Sequence, residues 1–79
     1  MDDQRTIEHL YRIVATIFKE DVTSLTLDSG AATIPRWDSF GQLRLLMEVE
    51  RVFGLRFSMA EIGQPRTIRD LHSLISSRG

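Results

Sequence analysis

The sequence predicts an all-α fold: a small four-helix bundle of three main helices and one short one, with a long loop between the first two. Three observations lead there. Apolar residues recur at spacings of three and four in three separate stretches. Capping-type residues stand where the later stretches begin. The chain is also only 79 residues long, which leaves room for one small core. A chain of that size buries about 60–65% of the surface its unfolded form exposes. Residues 1–79 therefore read as a single domain, without a second domain or a deep substrate cavity.

The first helix is read from Asp3 to about Asp21. Its apolar residues are Ile7, Leu10, Tyr11, Ile13, Val14, Ile17 and Phe18, which share one face. Asp2 and Asp3 stand at its start, where carboxylates complement the helix dipole. Residues 22–37, VTSLTLDSGAATIPRW, lose the period and read as a long loop. Such loops are often functional, and Val22, Leu25, Leu27 and Ile34 imply that this one packs over the core. Asp38 then reads as an N-cap and Ser39 as the first residue of a helix that runs to about Phe53 and stops at Gly54. Ser58 and Glu61 fit a capping box at the head of a helix of about one turn. Pro65 ends the next connection. Thr67-Ile68-Arg69-Asp70 repeats a capping pattern, and Ile68, Leu71, Leu74 and Ile75 form the stripe of the last helix. The tail, about 76–79, is expected to fray.

Composition narrows the function. Apolar residues make up 42% of the chain and charged residues 27%, which is globular rather than disordered. Ten Lys+Arg balance eleven Asp+Glu, for a net charge of −1. A nucleic-acid binder usually shows a basic excess, so no nucleic-acid partner is expected. Arg44 and Arg51 are balanced by Glu48 and Glu50, which argues against a DNA-reading helix. The chain has no cysteine, which excludes disulfides, thiolate metal sites and a cysteine nucleophile. No apolar run approaches the roughly 18 residues of a membrane span, and MDDQRTIEHL is too acidic for a signal peptide. The expectation is a cytoplasmic monomer with no membrane partner.

The second helix carries more apolar surface than one core needs. With Phe40 at zero and about 100° per residue, Leu45, Leu46, Val49, Val52 and Phe53 gather in one sector at roughly 120–240°. Phe40, Leu43 and Met47 gather in a second, from roughly 300° round to zero. Arg44 and Arg51 flank that second sector on one side and Glu50 on the other. An apolar centre with a charged rim is the pattern of a protein interface. Burial of both sectors in the core is the alternative.

Ser39 falls at the helix start beside the second sector. A phosphate ester there would meet free backbone N–H groups and the positive end of the helix dipole. Asp38 could give an oxygen to the Mg²⁺ that a phosphoryl-type transfer uses. A plain N-cap followed by a small polar residue is the simpler reading. Ser39 as a hydrolytic nucleophile lacks a base and an oxyanion site. The histidines, His9 and His72, are remote in sequence and read as surface or packing residues. No metal site is expected, and Met1, Met47 and Met59 have no ligand-like spacing. On these grounds, and by size, no catalytic residue is assigned.

Trp37-Asp38-Ser39-Phe40, then Leu43, Leu46-Met47-Glu48, Glu50 and Phe53-Gly54, resembles the modification motif and second helix of acyl carrier proteins. Phe57-Ser58 with Glu61-Ile62, then Thr67-Ile68-Arg69-Asp70-Leu71, is similar to their third and fourth helices. The resemblance covers nearly the whole chain. It implies that Ser39 carries a 4′-phosphopantetheine arm, attached by a phosphopantetheinyl transferase from coenzyme A with Mg²⁺. The arm's thiol would hold an acyl or aminoacyl group as a thioester, for acyl- or aminoacyl-loading enzymes and downstream synthases or transferases. The carrier itself would catalyse nothing. Recognition would fall on Asp38, Phe40, Leu43, Arg44, Met47, Glu50, Arg51 and Phe57. The family usually has Leu after the serine, where Phe40 stands here. Many members have a small residue where Trp37 stands. Their second helix is typically acidic, whereas Arg44 and Arg51 occupy it here. Since charge complementarity sets partner choice, this departure from the family's pattern points to a dedicated pathway, such as polyketide, nonribosomal peptide or related synthesis. The rival reading is an unmodified helical adaptor that binds through Phe40, Leu43 and Met47.

Overall fold

The computed structural model describes residues 3–78. Asp2, expected to complement the first helix dipole, and Gly79, at the end of the tail, lie outside the described residues. Among the described residues there are four α-helices and no named strand: α1 (Asp3–Phe18), α2 (Ser39–Phe53), α3 (Met59–Ile62) and α4 (Ile68–Ser76). α1 packs against both α2 and α4, and α3 against α2. Leu10, Val14 and Phe18 of α1, Leu45, Leu46 and Val49 of α2, and Ile68 and Leu71 of α4 meet in the core, closed by Ile34 and Trp37 from the loop.

α1 ends three residues earlier than its period predicts. Lys19 adopts a left-handed conformation (φ 56°), and Glu20 donates its N–H back to the Ala15 carbonyl at 3.0 Å. That bond closes the last turn. Asp21 is withdrawn to cap a single 3₁₀ turn, Val22–Ser24, through its bond from the Thr23 N–H at 2.9 Å.

The loop after that turn is anchored at its middle. Gly30 and Thr67 form an isolated antiparallel bridge. Ala31 donates to the Arg66 carbonyl at 2.9 Å, and Ile68 and Arg69 donate to the carbonyls of Ser29 and Leu27 at 3.0 and 2.9 Å. The loop thereby satisfies the first two N–H groups of α4, which a helix cannot satisfy itself. Thr67 Oγ1 takes the third, from Asp70, at 3.1 Å. The reciprocal half of the expected box is displaced by one residue: Asp70 Oδ2 accepts from the Arg66 N–H at 3.0 Å.

At α3 the box is complete, with Ser58 Oγ accepting from Glu61 N–H at 3.1 Å and Glu61 Oε1 from Ser58 N–H at 2.8 Å. α2 ends at Gly54, left-handed at φ 66°, with Leu55 N–H bonded to the Glu50 carbonyl at 3.1 Å. The tail is more tied than the sequence predicts. Ser77 donates to the Ser73 carbonyl at 3.0 Å, and Arg78 pairs with Glu61 and lies 5.4 Å over the Phe57 ring.

Candidate functional site

The entry to α2 is set by a short polar turn on a buried base. Trp37 is 3% exposed, and its ring stacks on Phe18 at 5.5 Å between centroids. The next residue, Asp38, turns outward and caps α2, its Oδ1 accepting from the Gly41 N–H at 2.8 Å. Ser39 is exposed. Gln42 N–H makes the first intrahelical bond, to the Asp38 carbonyl at 2.7 Å. The N–H groups of Ser39 and Phe40 precede that bond and find no acceptor among the described residues. α4 differs in having its corresponding donors taken by the loop. An anion esterified to Ser39 would find open donors and the positive end of a 15-residue helix, so the residues present fit a phosphodiester at this position.

Two residues that the sequence reading passes over hold this turn in place. A Cβ at Gly41 would lie 2.2 Å from the Arg36 carbonyl oxygen and 2.8 Å from Phe18 Cε1, so only glycine lets α2 start this close to the loop and α1. Gln42 is 5% exposed. Its Oε1 accepts from the Trp37 indole N–H, and its Nε2 donates to the carbonyls of Ile62 at 2.8 Å and Pro65 at 2.7 Å. One amide therefore ties the serine turn to the end of α3 and the connection beyond it. The signal was available: Gln42 falls at about 200° on the wheel, in the middle of the core sector.

The two sectors of α2 separate as an interface requires. Leu45, Leu46 and Val49 are fully buried, whereas Phe40 is 70%, Met47 56% and Leu43 41% exposed. The alternative of a helix buried on both faces is thus overturned. Val52, placed in the core sector, is also exposed; at about 120° it stands at the edge of that sector, and it is near the end of the helix.

The rim residues play unequal parts. Arg51 is engaged by Glu48, Nε to Oε1 at 3.0 Å, and that bond holds the Glu48 carboxyl below its ordinary value. Glu50 Oε2 accepts the Phe57 N–H at 2.8 Å and so fixes the segment after α2. Phe57 is half-buried beneath Arg78. Arg44 is exposed and has no ion-pair partner among the described residues. It borders a groove of about 380 Å³ between the end of α1 and the start of α2, shared with Thr16, Ile17, Lys19, Arg36, Asp38 and Phe40. Lys19 and Arg36, 20 and 3 residues before Ser39, reach that groove only through the fold.

The histidines stand elsewhere. His9 packs on Phe53 at 6.0 Å, and His72 lies 3.4 Å from Asp3 Oδ1. Among the described residues no cluster of three or more His, Cys, Asp or Glu could hold a metal ion. No helix among them is long and apolar enough to cross a membrane.

No protein-family model matches the chain. Two curated proteins are similar to it over most of both lengths. One is the acyl carrier protein of Coprothermobacter proteolyticus, 30% identical over 74 residues, which span 89% of this chain and 90% of that protein. The other is the acyl carrier protein of Onion yellows phytoplasma, 31% identical over 64 residues, 81% and 84% of the two lengths. A four-helix chain with an exposed serine at the open start of its second helix has the form of a small carrier. By these similarities it belongs to the acyl carrier protein family.

Proposed function

We propose that this chain, as one domain of residues 1–79, carries an acyl or aminoacyl group as a thioester on a 4′-phosphopantetheine arm at Ser39. A phosphopantetheinyl transferase attaches the arm from coenzyme A: Ser39 Oγ bonds to the phosphorus that bears the pantetheine, the serine proton is lost to a base of the transferase, and the pyrophosphate link breaks to release adenosine 3′,5′-bisphosphate. Asp38 could give one oxygen to a Mg²⁺ that would neutralise charge on those phosphates. The observation that carries this reading is Ser39 itself: exposed, at the start of α2 where two N–H groups stay open, beside an uncovered apolar face. When bound, the arm supplies the thiol that this cysteine-free chain lacks. The chain's own residues hold the attachment turn rigid and present Phe40, Leu43 and Met47, with Arg44, Glu50, Arg51 and Phe57 around them, to loading enzymes and downstream synthases. The role is that of a non-catalytic, monomeric carrier in the cytoplasm, where tethering raises the local concentration of cargo at each active site.

The relatives' names state no pathway. Arginines on α2 favour a dedicated set of partners over an acidic-carrier system, as in polyketide, nonribosomal peptide or related synthesis. Intact-protein mass after incubation with coenzyme A, Mg²⁺ and a broad-specificity phosphopantetheinyl transferase tests the attachment. The wild type is expected to gain one phosphopantetheine and Ser39→Ala none. No gain on the folded wild type, with several transferases tried, would favour the unmodified adaptor.

A further inference from the structure

Three cations converge on the groove beside Ser39, and they come from three places in the chain. Lys19 ends α1 in its left-handed turn, Arg36 lies in the loop just before the serine, and Arg44 stands one turn beyond Phe40 on α2. All three are exposed, and none has an ion-pair partner among the described residues. Asp38 is the acidic residue lining the groove, and one oxygen of its carboxylate is committed to the Gly41 N–H. Elsewhere on α2, Arg51 is paired with Glu48, and Glu50 is engaged by the Phe57 N–H. A chain that is nearly neutral overall, at −1, therefore concentrates uncompensated positive charge at one end of its exposed apolar face.

Not every enzyme that meets a carrier must cover this groove. An enzyme acting on cargo at the tip of a long arm works at a distance from Ser39. The enzyme that attaches the arm must bring its reacting phosphate to Ser39 Oγ, and so must lie over Asp38, Phe40 and the groove they border.

We propose that the groove lined by Lys19, Arg36 and Arg44 is the docking site for carboxylates on the phosphopantetheinyl transferase that modifies Ser39, whose carrier-binding surface is an apolar socket for Phe40 rimmed with acidic residues. This rests on the carrier reading and adds to it the sign and the place of the charge that selects the transferase. Opposite charges across an interface raise the encounter rate and exclude partners of the wrong sign. Both effects weaken with salt.

The test uses the transferase from the cell that makes this chain and follows attachment by intact mass. The variants are Arg36→Glu/Arg44→Glu, Lys19→Glu and, as a control at the far end of α1, Arg5→Glu, with circular dichroism to confirm folding. The double variant is expected to raise KM for the carrier about tenfold or more with kcat little changed, and Lys19→Glu to raise it by less. Wild-type KM should climb with ionic strength, while Arg5→Glu behaves as wild type. Arg36→Gln/Arg44→Gln, which removes charge without reversing it, should fall between. An unchanged or lowered KM in a folded, modifiable double variant would overturn the proposal and leave the carrier reading intact. A rise confined to KM for coenzyme A would assign the cations to the coenzyme's phosphates and overturn it as well. No modification of the wild type by this or any other transferase would overturn both readings.

Discussion

Two glycines of α2 are fixed for different reasons, and substitution separates them. Gly41 has no room: a Cβ there meets the Arg36 carbonyl and Phe18. Gly41→Ala should cost about 1–3 kcal/mol, as overpacking does, and should displace the serine turn. Gly54 has open space around it and a positive φ, so Gly54→Ala carries only the left-handed penalty of about 1–2 kcal/mol. Urea unfolding followed by circular dichroism measures both. Gln42 is a third case. Gln42→Ala strands the Trp37 indole N–H and two carbonyls and should cost roughly 2–4 kcal/mol. Gln42→Glu keeps the acceptor for Trp37 but cannot donate to Ile62 and Pro65, so it should destabilise at least as much.

The helix ends decide where this chain's elements sit, and most of them can be read from the sequence. Asp38 before α2, Ser58 with Glu61 at α3, Thr67 at α4 and Gly54 after α2 are local chemistry, because each partner lies within four residues. The end of α1 is less legible. The apolar face stops at Phe18, but nothing in Lys19 announces a left-handed turn. Asp38 can be divided into its two roles. Asp38→Ala loses the cap and about 1 kcal/mol. Asp38→Asn keeps the cap, and should slow attachment of the arm in a mass time course if the carboxylate also serves Mg²⁺. At α3 the capping bond from the Ser58 N–H holds the Glu61 carboxyl below its ordinary 4.5, with Arg78 adding to the effect. A lowered folded value contributes stability that is complete above 4.5 and disappears as pH falls through the lowered value. Glu61→Gln should therefore flatten the fall in stability as pH drops below the ordinary 4.5. Asp21 and Glu48 are lowered as well, so the wild-type slope will not vanish entirely in that variant.

At the scale of the molecule, the loop and α4 behave as one unit. The amides of Ala31, Ile68 and Arg69 bond across the Gly30–Thr67 bridge, and in hydrogen exchange they should open together with the interior of α4. α3, with four residues and none of them buried, should open at lower cost. This part of the fold was closed to sequence reading, since residues nearly 40 positions apart supply each other's bonds. The same holds for the site. Ser39 and its cap follow from residue types at the helix start, and the grouping of Phe40, Leu43 and Met47 from periodicity within one helix, which left open whether that strip is exposed. Lys19 and Arg36 join Arg44 only once α1 and the loop have packed against α2.

Trp37 is the chain's single tryptophan, buried against Phe18 two residues before the serine, its N–H held by Gln42. The molecule thus has a built-in optical reporter where it is most useful. Emission from that indole reflects the dryness of its pocket. Any enzyme that pries the start of α2 away from α1 would shift the spectrum to the red, and one that seats on the outer face alone would leave it unmoved. Stopped-flow fluorescence on the unlabelled protein can therefore tell rigid docking from docking that reshapes the attachment turn.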